Sequence, residues 1–282
     1  MGETYPTSPD TTKALRWCEV IPLKDYNPTR RLAVVTLIII GLCVYVYFFV
    51  QPNGRQLVQR GQHVVTSSQD TAFTLSHAAI PFEVSHDTKL TTFEVENLTG
   101  GAASCDTSDP SAPCYPHKNV YLAVLYSMFL HGSLLHIAGN MLFLWIFGNN
   151  IEDQFGVIGY IVFYLMAGLA ATATFVAIQP NSPVPLIGAS GAIAGVMGAY
   201  MVLFPNVPIR SLIILGFFVF FRDVQAKWFL LFWFVSQFFI SPSSGVASTA
   251  HVGGFVFGVL VGLAWRAAHR GPRPVGVYAR PS

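Results

Sequence analysis

Apolar residues in this chain come in long blocks separated by short polar breaks, and one extended polar stretch divides the first block from the rest. Leu32 to Val50 is an uncharged, predominantly apolar run of 19 residues, which at 1.5 Å per residue covers roughly 28 Å, about the thickness of a bilayer's hydrocarbon core. From Val120 the chain turns apolar again, and dividing it at polar or proline-containing breaks predicts five further spans. They are Leu134 to Phe147, Val157 to Ile178, Leu186 to Phe204, Ala226 to Ile240 and Thr249 to Trp265. Pro180, Pro183 and Pro185 mark the loop before the fourth span, and Pro205 and Pro208 stop it, because a helix cannot continue through proline without losing a hydrogen bond. Arg222, Asp223 and Lys227 interrupt the aromatic-rich run from Ile209 to Ile240, leaving two pieces each shorter than a full crossing. The polar stretch from Gln51 to Lys118 alternates in places, as at Thr92 to Glu96, and short strands are expected there. The pattern predicts an all-α, polytopic membrane protein with six spans. Its parts are a tail (1–31), a first span (32–50), an outer loop (51–133), a helical core (134–265) and a second tail (266–282).

Composition agrees with that pattern, since 52% hydrophobic and 11% charged residues do not describe a soluble protein. Basic residues collect at the two ends. Lys13, Arg16, Lys24, Arg30 and Arg31 precede the first span, and Arg266, Arg270, Arg273 and Arg280 follow the last. Cytoplasmic flanks collect Lys and Arg, so both termini are expected in the cytoplasm, which an even number of spans satisfies. The first span is too long for a signal peptide and lacks a small-x-small cleavage site after it, so a retained anchor is expected. Glu3, Asp10, Glu19 and Asp25 argue against a transit peptide, which favours a bacterial plasma membrane over an organelle. No basic stripe with interleaved aromatics points to nucleic acid. His63, His77, His86 and His117 fit no metal-ligand spacing, and no metal or cofactor is expected. Cys105 and Cys114 share the outer loop and could form a disulfide or remain two thiols.

Candidate chemistry lies at one depth. In a six-span topology the starts of spans 2, 4 and 6 all fall on the outer side, which puts His136, Ser190 and His251 in one shallow layer beneath the outer surface. Close approach of helices in lipid depends on small residues, with G-x-x-x-G the commonest pattern. Gly191 and Gly195 supply it in span 4; Gly254, Gly258 and Gly262 repeat it in span 6. Ser190 and His251 lie on these small-residue faces, so if the faces meet, the hydroxyl reaches an imidazole nitrogen. A serine hydroxyl is a weak nucleophile until a base takes its proton, and imidazole is the usual base. None of the fourteen acids falls within spans 4 or 6, so the expected unit is a Ser-His dyad rather than a triad. His136 and Asn140 share a face of span 2, and the amides of Ala189 and Ser190 lie near a helix N-terminus; these are candidate oxyanion donors. His131, just before span 2, is expected at the interface. A single serine or histidine in such a helix is more often a packing residue, and it is their conjunction with Asn140 that favours chemistry. A small-solute transporter should show internal repeats or a broken-helix midplane site, and neither is visible in the sequence.

The motifs resemble those of the rhomboid intramembrane serine proteases over Ser127 to Gly262. His131-Gly132-Ser133-Leu134-Leu135-His136-Ile137-Ala138-Gly139-Asn140 is similar to that family's span-2 motif, Gly188-Ala189-Ser190-Gly191 to its nucleophile motif, and Ala250-His251 with Gly254 and Gly258 to its span-6 motif. The resemblance implies Ser190 as nucleophile, His251 as general base, and His136, Asn140 and the Ser190 amide as oxyanion stabilisers. It implies transmembrane proteins as substrates, and the aromatic span 5, with Phe229 and Trp233, as a movable gate beside span 2. Gly148, Glu152 and Gly156 match a recurring pattern in which Glu152 is expected to be structural. Two features depart from the family. Ala194 stands where some members place a tyrosine against the base, and no Trp-Arg pair occurs in the outer loop. The rival reading from another class is a non-catalytic binder or escort of membrane proteins.

Overall fold

The computed structural model of the chain describes residues 18–52, 55–60, 63–101, 103–215, 218–241 and 246–269; of the two expected cytoplasmic tails, 1–17 and 270–282 lie outside these residues. The helices that carry the apolar blocks are α1 (Val34–Tyr45), extended by a π-helical turn (Val46–Val50), α6 (Leu134–Ile178), α7 (Ser190–Leu203), α8 (Ala226–Ser236), extended by a 3-10 turn (Gln237–Phe239), and α9 (Ser248–Ala268). Between the first two of these lie α2 (Gln69–His77), α3 (Pro81–His86), α4 (Thr92–Thr99) and α5 (Val120–Ser127). Among the described residues, α6 and α9 are long and apolar enough to cross a membrane, while α1, α7 and α8 with their extensions are shorter apolar helices. Large apolar side chains face outward on α1, α6, α8 and α9, among them Ile38, Ile158, Phe232 and Leu260. Such a surface is stable against lipid and not against water.

Helix α6 carries both expected spans 2 and 3. Its two legs, 134–155 and 157–178, are separated at Gly156, whose φ of 71° and ψ of 171° only glycine adopts without strain. The first leg therefore runs beyond the expected end at Phe147. Helix α7 is shorter than the expected span 4: residues 186–189 are non-helical, since Pro183 and Pro185 precede them, Gly188 has φ of 119°, and Leu186 instead bridges Ala79 of the outer loop. Its 14 residues cover only about 21 Å. A helix of that length is viable at membrane depth because protein surrounds it. Every residue from Ala192 to Tyr200 is buried, which is how a helix apolar all round behaves, and the non-helical backbone before it lines a cavity rather than lipid.

Glu152 of α6 pins α1. Its carboxylate accepts hydrogen bonds from the amides of Val35 and Thr36 and from the Thr36 hydroxyl, each at 2.8 Å. These amides open α1 and have no intrahelical acceptor, and Ala33 at the N-cap supplies none. A buried anion at a helix N-terminus satisfies both the donors and the dipole.

The all-α expectation is corrected by five strands among the described residues. Strands β2 (Arg55–Arg60) and β3 (His63–Ser68) pair antiparallel in the outer loop. Strand β1 (Cys18–Asp25) pairs with β4 (Pro208–Leu215), which pairs with β5 (Phe218–Gln225). The block from Ile209 towards Lys227, apolar but too short to cross, thus supplies two antiparallel strands, β4 paired on both sides and β5 on one. Asp25, at the end of β1, is buried and accepts hydrogen bonds from Asn150 Nδ2 and Tyr200 Oη, both at 2.7 Å, tying the sheet to α6 and α7. A second correction concerns Thr92 to Glu96, where alternation suggested a strand. Thr91 and Glu94 form a reciprocal capping box, and that local signal starts a helix instead. Cys105 and Cys114 are joined as a disulfide within a small core of Leu75, Ile80, Leu90, Val95 and Tyr115. Lys118 and Glu83 form a buried ion pair in the same loop, with Lys118 also donating to the Leu75 carbonyl at 2.7 Å.

Candidate active site

Ser190 is the first residue of α7, at the floor of a cavity of about 840 Å³ that is also lined by His136, Asn140, Trp233 and His251. The loop that delivers it is held from the outer loop's side: Leu186 N donates to Ala79 O at 2.7 Å and Gly188 N to Ser127 O at 2.8 Å. Gly188 cannot be replaced without displacement, because a Cβ there would lie 2.8 Å from His136 Nε2. The four amides that open α7 have no intrahelical acceptor, so the helix presents N–H groups and a positive dipole end at the serine.

His251 sits one turn into α9, and its Nε2 lies 2.8 Å from Ser190 Oγ. The two helices meet through their glycines. A Cβ on Gly254 would strike the Gly191 carbonyl, one on Gly258 the Gly195 carbonyl, and one on Gly198 the Phe255 carbonyl. Gly191 and Gly195 are equally tight on their other side, against Ala171 and Ala167 of α6. Backbones this close leave the short serine and histidine side chains within hydrogen-bond reach.

His136 lies in the first turn of α6, where the N-cap Ser133 hydroxyl accepts from its amide at 3.1 Å. Its Nδ1 is approached by the Gly132 amide at 3.5 Å, a long contact that favours Nδ1 as acceptor and leaves the proton on Nε2, the nitrogen facing Gly188. Asn140, one turn on, is buried, and its Nδ2 has no hydrogen-bond partner among the described residues. Leaving a buried amide donor unpaired costs about 1–3 kcal/mol. The cavity lining therefore includes a donor that the described residues leave unused.

A Rhomboid domain matches residues 118–268. The chain belongs to the rhomboid family. Over 142 residues it is 30% identical to the rhomboid protease GlpG of Serratia proteamaculans, covering 50% of this chain and 47% of that one. It is 27% identical over 136 residues to RHOMBOID-like protein 5 of Arabidopsis thaliana, covering 48% and 41%. It is 39% identical over 79 residues to the rhomboid protease GluP of Bacillus subtilis, covering 28% and 15%. The matched segments thus span less than half the length of these relatives. The family is an integral membrane family of multi-helix fold, and this chain is mostly helical.

Two features of this rhomboid were not foreseen. His131, expected at the interface, is fully buried: its backbone N–H and C=O are both taken by the Gln51 side chain at the end of the first span, at 2.9 and 3.1 Å. Burial, with the His136 ring beside it, pushes its imidazole down to about 4, so it is neutral at physiological pH and stands edge-on to His136. The second feature is Gln237, whose Oε1 lies 2.8 Å from His251 Nδ1. Where Ala194 offers no ring, Trp233 stands with its ring centroid 5.8 Å from that of His251. Gln237 had the signal that singled out Asn140, a carboxamide inside an apolar block that needs partners once buried. No local pattern links it to His251, which is 14 residues away and on a different helix.

Proposed function

We propose that this rhomboid is an intramembrane serine protease that hydrolyses peptide bonds in or near transmembrane segments of membrane proteins. The carrying observation is the 2.8 Å contact between Ser190 Oγ and His251 Nε2 on the floor of a cavity that also holds His136 and Asn140. In this reading His251 takes the Ser190 proton as Oγ attacks the scissile carbonyl. The oxyanion that develops is met by His136 Nε2–H, Asn140 Nδ2 and the amides of Ala189 and Ser190, each donor worth roughly 3–4 kcal/mol in the transition state. His251 then protonates the leaving amine, and water releases the acyl-enzyme. The glycines Gly191, Gly195, Gly254 and Gly258 hold the two helices at the separation this requires.

The names of the GlpG and GluP relatives support the protease reading. The chain is read as a six-helix bundle, the two legs of α6 counting separately, with both termini in the cytoplasm and the 51–133 segment outside; a bacterial plasma membrane is the favoured setting. Substrate would enter from lipid between α6 and α8, where Phe229 packs on Phe143 and Phe147 at ring separations of 6.4 and 6.2 Å. Phe143→Cys with Phe229→Cys, cross-linked, is expected to block cleavage of a transmembrane substrate; unchanged cleavage would remove the gate from the mechanism.

The test of the reading is cleavage of a reporter transmembrane substrate in liposomes, together with labelling of Ser190 by a fluorophosphonate. The intact chain is expected to cleave and label, and Ser190→Ala to do neither. Equal cleavage by both sinks the mechanism. Substrate capture without cleavage by the intact chain favours the non-catalytic binder.

A further inference from the structure

Gln237 opens the 3-10 turn that follows α8 and is almost completely buried. Its amide orientation is set by what surrounds it. Nε2 donates to the Trp233 carbonyl at 3.0 Å and lies 3.3 Å from Ser236 Oγ. A carbonyl oxygen can only accept, so the NH₂ end must face α8 and Oε1 must face α9. There Oε1 meets His251 Nδ1 at 2.8 Å. A carboxamide oxygen has no proton to give, so Nδ1 carries the hydrogen and donates it. Neutral imidazole holds one ring proton, which leaves Nε2 bare and aimed at Ser190 Oγ.

We propose that Gln237 is a positioning residue that holds His251 in the Nδ1–H form, with its Nε2 lone pair on the Ser190 hydroxyl. The inference rests on the reading of Ser190 and His251 as the acyl-transfer pair and supplies the orienting group that no acid in the neighbouring spans provides. Among the described residues, the groups that face His251 are Ser190 from α7, Trp233 and Gln237 from α8 and its turn, and His136 from α6; none is an acid. Without the acceptor at Nδ1 the alternative tautomer would point a proton at Ser190, and a base that already carries its proton there cannot take another. The carboxamide does this with a dipole rather than a charge. The acceptor stands on the 3-10 turn that extends α8, so the tautomer of His251 depends on where that helix and its turn stand.

The experiment uses the full chain in liposomes and compares Gln237→Met, of similar length without an acceptor, with Gln237→Glu, which keeps one. The readouts are the rate of Ser190 labelling by a fluorophosphonate, kcat and KM on a reporter substrate, and the thermal unfolding midpoint. Gln237→Met is expected to lower labelling rate and kcat about 10- to 100-fold with KM within about twofold, as for loss of an orienting partner. Gln237→Glu is expected to recover most of the rate. Its acidic limb should move to higher pH by about one unit, because a carboxylate at Nδ1 favours the protonated ring. An active wild type with equally active Gln237→Met overturns the proposal alone, as does a joint fall of both variants. Should Gln237→Met fail to fold, an unmoved acidic limb in Gln237→Glu overturns it. A wild type that neither labels nor cleaves overturns the protease reading and this proposal with it.

Discussion

The seam between α7 and α9 and the outer loop are held together by opposite means. In the seam the contacts are carbonyl against glycine, with Gly254, Gly258 and Gly198 placed where any side chain would collide with the carbonyls of Gly191, Gly195 and Phe255. No charge and no covalent link takes part. The outer loop has a core of only a few side chains, and it relies on a disulfide, a buried Lys118–Glu83 pair and a capping box at α4. The difference follows from the solvent. Lipid gives helices no hydrophobic reason to associate, so association depends on close packing, whereas a small polar subdomain in water cannot bury enough apolar surface and needs cross-links. One region tolerates no added atom; the other tolerates no lost partner.

The strongest way to break that comparison is at Gly258. Gly258→Leu is expected to abolish Ser190 labelling and to destabilise the bundle by about 3 kcal/mol or more, since the obstructing atom is the Gly195 carbonyl and cannot rotate away. Labelling at the wild-type rate would show that the seam does not set the Ser190–His251 distance. In the outer loop, Lys118→Met leaves Glu83 buried without its partner, which typically costs about 3–5 kcal/mol. The expected result, read by limited proteolysis, is an opened loop.

Replacing Cys105 and Cys114 with serine should cost that loop roughly 2–3 kcal/mol, while Ser190 labelling falls less than in Gly258→Leu. A larger fall would mean that the Ala79–Leu186 bridge transmits loop order to the serine. The smallest effect is expected at Asp25, beneath the far end of the seam. Burial raises its carboxyl from 3.8 to about 6 against the hydrogen bonds of Tyr200 and Asn150, so the fold favours the neutral form. That contribution is complete below about pH 3.8 and is lost as pH rises through 6. Unfolding of the wild type should therefore show a fall of about 2 kcal/mol between pH 4 and 7 that Asp25→Asn lacks.

Much of the candidate site was legible because its signals were local and improbable in lipid. Ser190, Asn140 and His251 stood out as polar groups in apolar blocks, and four-residue glycine spacing named the faces that carry the close contacts. Local signals also misled. The alternation at Thr92 to Glu96 lost to a capping box, and the expected helical start at Leu186 lost to Gly188 and its backbone bond to Ser127. Strands β4 and β5 were hidden because they pair with each other and β4 also with β1, a segment about 190 residues away.

By itself the sequence determined that the chain is a helical membrane protein, where its apolar blocks break, and which hydroxyl and imidazoles are out of place in them. Block length, proline and glycine placement and hydropathy act within a few turns of chain and are independent of distant contacts. Only the tertiary structure decided that α7 could be short, that His131 is buried, and that Gln237 stands behind His251. Each of those depends on which backbone supplies the other half of a hydrogen bond or covers a helix face, and that is fixed by packing between segments far apart in the chain.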